Sequence, residues 1–285
     1  MNILVPLVFS SFREIVRQPF YYIIFLSGCF IILISFAFAF FAFGEEARMI
    51  RDMAISTITL GGLLTGCMAS SILVAAEFER QTVLAVLCKP VSRVYFILGK
   101  YLGILAATCL LVFSQGLVLE VALIIRNYGT FQNGVTNLSS MIDFVCILGI
   151  CFSLLQILIL IAISLVLSLY LNTIANLTIC LFFFIFCNTF SYILPLHSLR
   201  HEGVNILTAV CYAVFPNFQT LNMVVINDVV AATSSPWQAS HITQYIVCGT
   251  VHSTIYCTAV VWLAVFLFKR KEIAWKSILS ISDIK

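Results

Sequence analysis

Charged residues are scarce in this sequence of 285 residues: Asp, Glu, Lys and Arg make up 9% of it, whereas hydrophobic residues make up 62%. Too little polar surface remains to cover a water-facing globule, which excludes an ordinary soluble domain. A net charge of +3 is also too small to indicate a nucleic-acid partner. We therefore expect the chain to lie in a membrane.

The sequence also lacks the motifs of common catalytic sites. No G-x-x-x-x-G-K-[ST], H-E-x-x-H or G-x-S-x-G occurs. The eleven cysteines contain no C-x-x-C pair, and most lie in apolar runs, where Cys behaves as a small hydrophobe. His197 and His201 have the spacing of two metal ligands on a helix, but they have no third ligand in reach. We expect no catalytic site, no metal site and no cofactor bound by this chain.

Long apolar runs are what the sequence has in abundance. A helix needs about 20 mostly apolar residues to cross the hydrocarbon core. Backbone groups in lipid must bond within their own segment, which predicts helices. The expected fold class is an all-α polytopic membrane protein, a single transmembrane domain over 1–285. Its six predicted transmembrane helices cover roughly 20–43, 55–76, 96–125, 142–171, 173–196 and 244–268.

The distribution of Lys and Arg predicts the orientation. With the N-terminus inside, eleven of the fifteen basic residues fall in inside segments, including the cluster Lys269, Arg270 and Lys271. Positive charge favours the cytoplasmic side. The predicted location is therefore the cell (inner) membrane, crossed several times, with both termini cytoplasmic.

Two segments outside the spans are predicted to be helical at the membrane surface. As a helix, residues 3–18 would have one apolar face and one basic face. This pattern indicates an N-terminal interfacial helix that ends at Pro19 and whose basic face meets lipid headgroups. An extended start to the first span is the alternative. The outer segment 197–243 contains an apolar run, 204–215, that is too short to cross. It indicates a re-entrant or interfacial helical pair before the last span.

Small and polar residues inside the spans give candidates for packing and for a pathway. Gly62, Gly66 and Ser70 recur every four residues, which favours close helix packing. The four polar residues that stand out in the apolar spans could line a pathway or serve structure alone. They are Glu120, Gln156, Asn176 and Asn188. So little charge favours an amphipathic or lipid-like substrate.

The stretch between the second and third spans is predicted to dock a partner. The pattern of residues 79–88 predicts a short cytoplasmic helix. It includes apolar residues that a solvated linker would not need. Pro90 ends it, and Ser92 can cap the helix that runs into the third span. Ile97 and Lys100 share a face of that helix with Arg93, and we expect this face to stand in the headgroups.

This stretch resembles the first cytoplasmic loop of ABC-2 type transporter permeases, most closely those of the NosY-like subgroup. The matching positions are Glu79, Thr82, Leu87, Pro90, Val91, Ser92, Arg93, Gly99 and Lys100. The similarity extends to the interfacial helix, the six spans, the outer pair and the basic end, nearly the whole chain. Gln81 departs from the family, which usually has glycine there.

The resemblance implies a function. Residues 79–88 would be the coupling helix of a permease subunit that pairs with a second copy or a paralogue. A separate cytoplasmic ABC ATPase would bind the ATP and drive transport, which the family implies to be export. The residues implied to contact it are Glu79, Arg80, Thr82, Leu84, Leu87, Pro90 and Arg93.

The alternative function is an ATP-independent secondary transporter or channel. That class predicts several intramembrane charges, spans broken in matching halves, or a filter sequence. Only Pro195, at the end of a span, comes close to such a feature. An assembly or redox factor that uses the cysteines and histidines is disfavoured by their scattered spacing.

Overall fold

A computed structural model of the chain describes residues 4–38, 46–75, 93–131, 144–193, 215–216, 218, 221–222 and 239–282. Apart from short turns, these residues are helical. The helices are α1 (Leu4–Val16), α2 (Pro19–Phe38), α3 (Glu46–Ser70), α4 (Arg93–Phe131), α5 (Phe144–Ser168), α6 (Thr173–Ile193) and α7 (Ala239–Ser282). A π-helical turn, Ser71–Ala75, continues α3.

Five of these helices are long and apolar enough to cross a membrane. The qualifying stretches are Pro19–Ala37, Arg48–Val74, Val94–Ile125, Val145–Ser168 and Thr243–Phe268. The all-helical character and the membrane-spanning helices expected from the sequence are thus present. Within α6, Thr173–Thr189 is a shorter apolar stretch, where the sequence predicts the fifth of six spans.

Contacts along the helices fix their relative directions. Gly62 of α3 packs against Ile157 of α5, and Gly66 packs against Ile161. Because the residue numbers increase together along the two helices, α3 and α5 are parallel. Along α4, by contrast, the partners of these two glycines run backwards, from Val112 to Thr108. The helices α3 and α4 are therefore antiparallel.

The same reasoning places the remaining helices. Tyr21 Oη donates to Ala107 O at 3.2 Å, and Gly28 packs against Gln115, so α2 runs parallel to α4. The rings of Phe96 and Phe268 stack with centroids 5.9 Å apart, at the start of α4 and late in α7. The beginnings of α2 and α4 and the end of α3 therefore lie at one end of the bundle, which we call the N-terminal end.

The helix α3 lies at the centre of the bundle. Its most apolar stretch is 72% buried, against 22% for α2 and 28% for α7. Small residues allow this position: a Cβ at Gly66 would lie 2.7 Å from Cγ1 of Ile161, and one at Gly62 would overlap Ile157. The strip Gly62, Gly66 and Ser70 thus faces α5, where Ser70 also contacts Ser164.

The N-terminal helix α1 is separated from α2 by a turn at Arg17 and Gln18, as Pro19 predicts. It packs against α4 with Ser11 and Ile15 buried, and Gly103 approaches Ser11. Arg13 and Arg17 are on the exposed side. The buried face of this amphipathic helix therefore packs against protein, and not only against lipid.

One expectation about α4 is wrong. Ile97 is fully buried and Lys100 is 5% exposed, so this face does not stand in solvated headgroups. Lys100 Nζ lies 5.7 Å from the centroid of the Phe96 ring. The helix packs against α1 and α7 at this level, and this covers the face that the sequence pattern assigned to the headgroups.

Candidate functional site

A polar cleft of about 370 Å³ lies between α3, α5 and α6. It is at the end of the bundle opposite the N-terminal end, since α3 and α5 begin there and α6 ends there. Its floor is formed by Gln156 and by Leu221 of the segment that precedes α7. Polar groups on three apolar helices converge here, which is the usual composition of a ligand pocket within a helix bundle.

The hydroxyl groups of the cleft use their hydrogens within their own helices. Ser56 donates to Asp52 O at 2.7 Å, and Thr59 donates to Ile55 O at 2.8 Å. On α5, Ser153 donates to Ile150 O at 2.8 Å. Such bonds to the preceding turn satisfy the donor and leave the hydroxyl oxygen able to accept.

Two of the three amides that line the cleft are oriented by backbone carbonyls, and the third belongs to Asn222. Gln156 Nε2 donates to Phe218 O at 2.9 Å, and Asn188 Nδ2 donates to Phe184 O at 3.1 Å. Of the two ends of an amide only the nitrogen can donate to a carbonyl, so these bonds decide which end of each of these two amides is which. Both amide oxygens are thereby left as acceptors for another partner. Among the described residues, no hydrogen bond to either oxygen is found.

The bond from Gln156 also ties the outer segment to the bundle. Phe218 is fully buried, and its ring lies 6.2 Å from that of Phe184 and 6.4 Å from that of Phe183. Pro216 is buried beside it. The described residues of the outer segment therefore close one side of the cleft. The re-entrant or interfacial helical pair predicted for segment 197–243 falls mostly outside the described residues.

Asn176 is at the other end of the bundle, in a separate polar cluster. Its Nδ2 lies 2.8 Å from Ser71 Oγ, 2.9 Å from Ser164 Oγ and 3.3 Å from Ser70 Oγ. The thiol of Cys180 lies 3.5 Å from its Oδ1. These groups join α3, its π-helical turn, α5 and α6. Asn176 was expected either to line a pathway or to serve structure alone, and in the structure it forms hydrogen bonds between helices.

Glu120 lies on α4, away from the cleft, and both of its carboxylate oxygens are buried. Five residues earlier on the same helix, Gln115 is fully buried between Gly28 and Gly61. Gln115 Nε2 is 3.5 Å from the carbonyl oxygens of Ile24 and Phe25. Sequence reasoning did not single out Gln115, although a glutamine in an apolar span was the signal that drew attention to Gln156.

The structure thus brings two of the four predicted pathway residues together, Gln156 and Asn188. Sequence reasoning missed their neighbours Ser56, Ser153 and Thr189. Polar residues spaced three or four apart within an apolar run were the available signal, as in Ser153 and Gln156.

The predicted ATPase-coupling residues up to Pro90 lie outside the described residues, as do His197 and His201. Arg93 is the first residue of α4, and only its backbone is described. In the described part of the chain, no group of three or more His, Cys, Asp and Glu side chains could hold a metal ion. The cysteines described there are free.

Comparison with known proteins gives one result. A search of curated proteins finds no match to this sequence. The family model described as "Protein of unknown function (DUF2705)" matches residues 21–274, which include the cleft and, except for the first two residues of Pro19–Ala37, the five stretches able to cross a membrane. The chain therefore belongs to the DUF2705 family.

Proposed function

We propose that this protein is the permease subunit of an ABC-2 type transporter, which crosses the membrane six times and works with a separate cytoplasmic ATPase. In this proposal α6 is the fifth span, both termini are cytoplasmic, and two permease chains form the complex. The polar cleft belongs to the translocation pathway, which serves export. The sequence resemblance of residues 79–100 supports the assignment.

The observation that carries the proposal is the continuity of α3. Ser56 and Thr59 on this helix line the cleft, and its π-helical turn Ser71–Ala75 directly precedes segment 76–92. From Thr59 to Ala75 the helix rises about 24 Å. Segment 76–92, which contains the predicted coupling helix, is therefore joined by one helix to a wall of the cleft.

The bundle supplies a route for mechanical coupling. Segment 76–92 is followed directly by α4, which packs antiparallel to α3. The Asn176 cluster binds the end of α3 to α5 and α6. A push on this segment would thus move several helices together and change the width of the cleft. Transport requires only that the ATPase contact this segment differently in its two nucleotide states.

The proposal is tested by purifying the chain from its native membranes in mild detergent. We expect a partner that carries G-x-x-x-x-G-K-[ST] to co-purify and to hydrolyse ATP. Leu87→Asp and Glu79→Lys should each abolish its recovery, because they place a charge, or reverse one, on the predicted docking helix.

Ile174→Asp is the matched control. Ile174 is 79% exposed in the first turn of α6, at the same end of the bundle as the end of α3, so this variant adds a charge outside segment 76–92. The partner should be retained in this variant. Equal recovery with Leu87→Asp, or transport by the purified chain without ATP, would instead support the secondary transporter or channel.

A further inference from the structure

We propose that the cleft binds the neutral, hydroxyl-bearing head group of an amphiphile whose apolar chain stays in the bilayer. As the cargo of a transporter this ligand rests on the function proposed above, whereas its binding to the cleft does not. The inference follows from the unused hydrogen-bonding capacity of the cleft, from its charge and from the position of its mouth.

The cleft offers both hydrogen-bond acceptors and hydrogen-bond donors. Four hydroxyl groups line it, on Ser56, Thr59, Ser153 and Thr189, and each donates its hydrogen to a carbonyl of its own helix. The amide oxygens of Gln156 and Asn188 are acceptors as well, each of these amides has a second N–H beyond the one bonded to a carbonyl, and Asn222 adds a third amide. A ligand that fills the cleft must therefore bring both donors and acceptors, since groups left unpaired in a buried site lose binding energy. A head group with several hydroxyls meets this requirement.

Charge decides between the possible donors. None of the described residues that line the cleft is Asp, Glu, Lys or Arg. Asp52, whose carbonyl accepts from Ser56, lies one turn away along α3 and is not part of the lining. An anionic head would meet amide N–H groups but no cation among the residues that line the cleft. An ammonium head would lose its hydration with no carboxylate to compensate it. A neutral head avoids both costs.

The mouth of the cleft indicates an amphiphile rather than a free polyol. Leu60 and Ile185 lie at its edge and are 42% and 55% exposed, on the surfaces of two apolar helices that would meet lipid. Phe184 and Leu221 give the interior apolar walls. A volume of about 370 Å³ lies at the small end of the range for ligand pockets, about 300–1,000 Å³. It suits a head group better than a whole lipid.

The test uses the full chain alone in lipid nanodiscs, with an alkyl glucoside that carries a photoreactive diazirine on its sugar. Labelled peptides are mapped by mass spectrometry. Competitors share one alkyl chain and differ in the head: glucoside, primary ammonium, trimethylammonium or sulfate. We expect labelling on α3, α5 or α6 near the cleft, and competition by the glucoside about tenfold better than by any charged head, or about 1.4 kcal/mol.

A matched pair of variants on α6 locates the site. Thr189 and Thr178 each donate to a carbonyl four residues earlier at 2.9 Å, but only Thr189 lines the cleft. Thr189→Val should weaken glucoside competition about 2–10-fold, the value of one hydrogen bond, and Thr178→Val should leave it unchanged. Asn188→Leu should weaken it by a similar factor.

The proposal is overturned if the ammonium or the sulfate competes as well as the glucoside. It is also overturned if the two threonine variants behave alike, or if labelling maps elsewhere. No ATPase takes part, so these outcomes are independent of the partner purification. If no partner co-purified but the labelling were selective for the glucoside, the proposed transporter would be refuted and the proposed binding site would be retained.

Discussion

Gly103 of α4 is a tight point of contact with α1, and one added methyl group tests this packing. A Cβ at Gly103 would lie 2.5 Å from Cβ of Ser11, 3.1 Å from the backbone oxygen of Val8 and 3.3 Å from the backbone nitrogen of Phe12. Two of these three atoms are backbone, so no side-chain rotation relieves the overlap. Carbon atoms pack at about 3.5–4.0 Å, so Gly103→Ala must move α1 outwards by about 1 Å.

The cost of this movement follows from known overpacking effects. Inserting a methyl into a well-packed contact costs about 1–3 kcal/mol. Alanine also regains about 1 kcal/mol of helix propensity over glycine. Gly61→Ala is the matched control, because it gains the same propensity while its Cβ would lie 3.4 Å from Gln115 Oε1, a permissible distance. The free energy of unfolding of Gly103→Ala should therefore be about 1–3 kcal/mol below that of Gly61→Ala.

The assay is equilibrium unfolding of the purified chain in mixed micelles titrated with sodium dodecyl sulfate and followed by tryptophan fluorescence. Adding Ser11→Gly to Gly103→Ala should recover part of the loss, because it removes one of the three overlapping atoms but not the backbone of Val8. If the two alanine variants unfolded with the same free energy, the close approach of α1 to α4 would be refuted.

Two further predictions concern bonds between helices. Asn176→Ala should lower the free energy of unfolding by about 2 kcal/mol, since it removes two bonds donated by Nδ2 and one accepted by Oδ1 from Cys180, each worth about 0.6 kcal/mol in membrane proteins, and the same titration measures this. A loss below the error of the titration would contradict the Asn176 cluster. Tyr101→Phe should cost about 0.6–1 kcal/mol, because its Oη contacts Cys257 Sγ at 2.9 Å and donates to Leu158 O at 3.3 Å. The same titration measures this loss, and a free energy of unfolding equal to that of the unchanged chain would contradict the contact.

The helical architecture could be predicted from the apolar runs, but the ends of the helices could not. The sequence places the second span from residue 55, whereas α3 begins at Glu46 and includes Arg48. A helix continues beyond the hydrocarbon wherever water satisfies its side chains, so hydropathy does not mark its end. The same reason explains the 39 residues of α4 and the 44 of α7.

The cleft could be predicted only in part. Gln156 and Asn188 are conspicuous in apolar spans, but their meeting depends on how α5 and α6 pair across the short turn between Ser168 and Thr173. That register is a property of packing and has no local signal. Ser153 escaped notice because a hydroxyl bonded to its own helix is common in membrane spans and seldom indicates a site.

The parallel pairing of α3 and α5 has a consequence for biosynthesis. Two adjacent helices that run in the same direction need an intervening crossing, so the glycines of α3 meet their partners more than ninety positions later in the chain. The ribosome must deliver α5, which ends at Ser168, before the centre of the bundle can close. Until then the glycine-containing side of α3 contacts lipid, so the helices must pack together after they have been inserted.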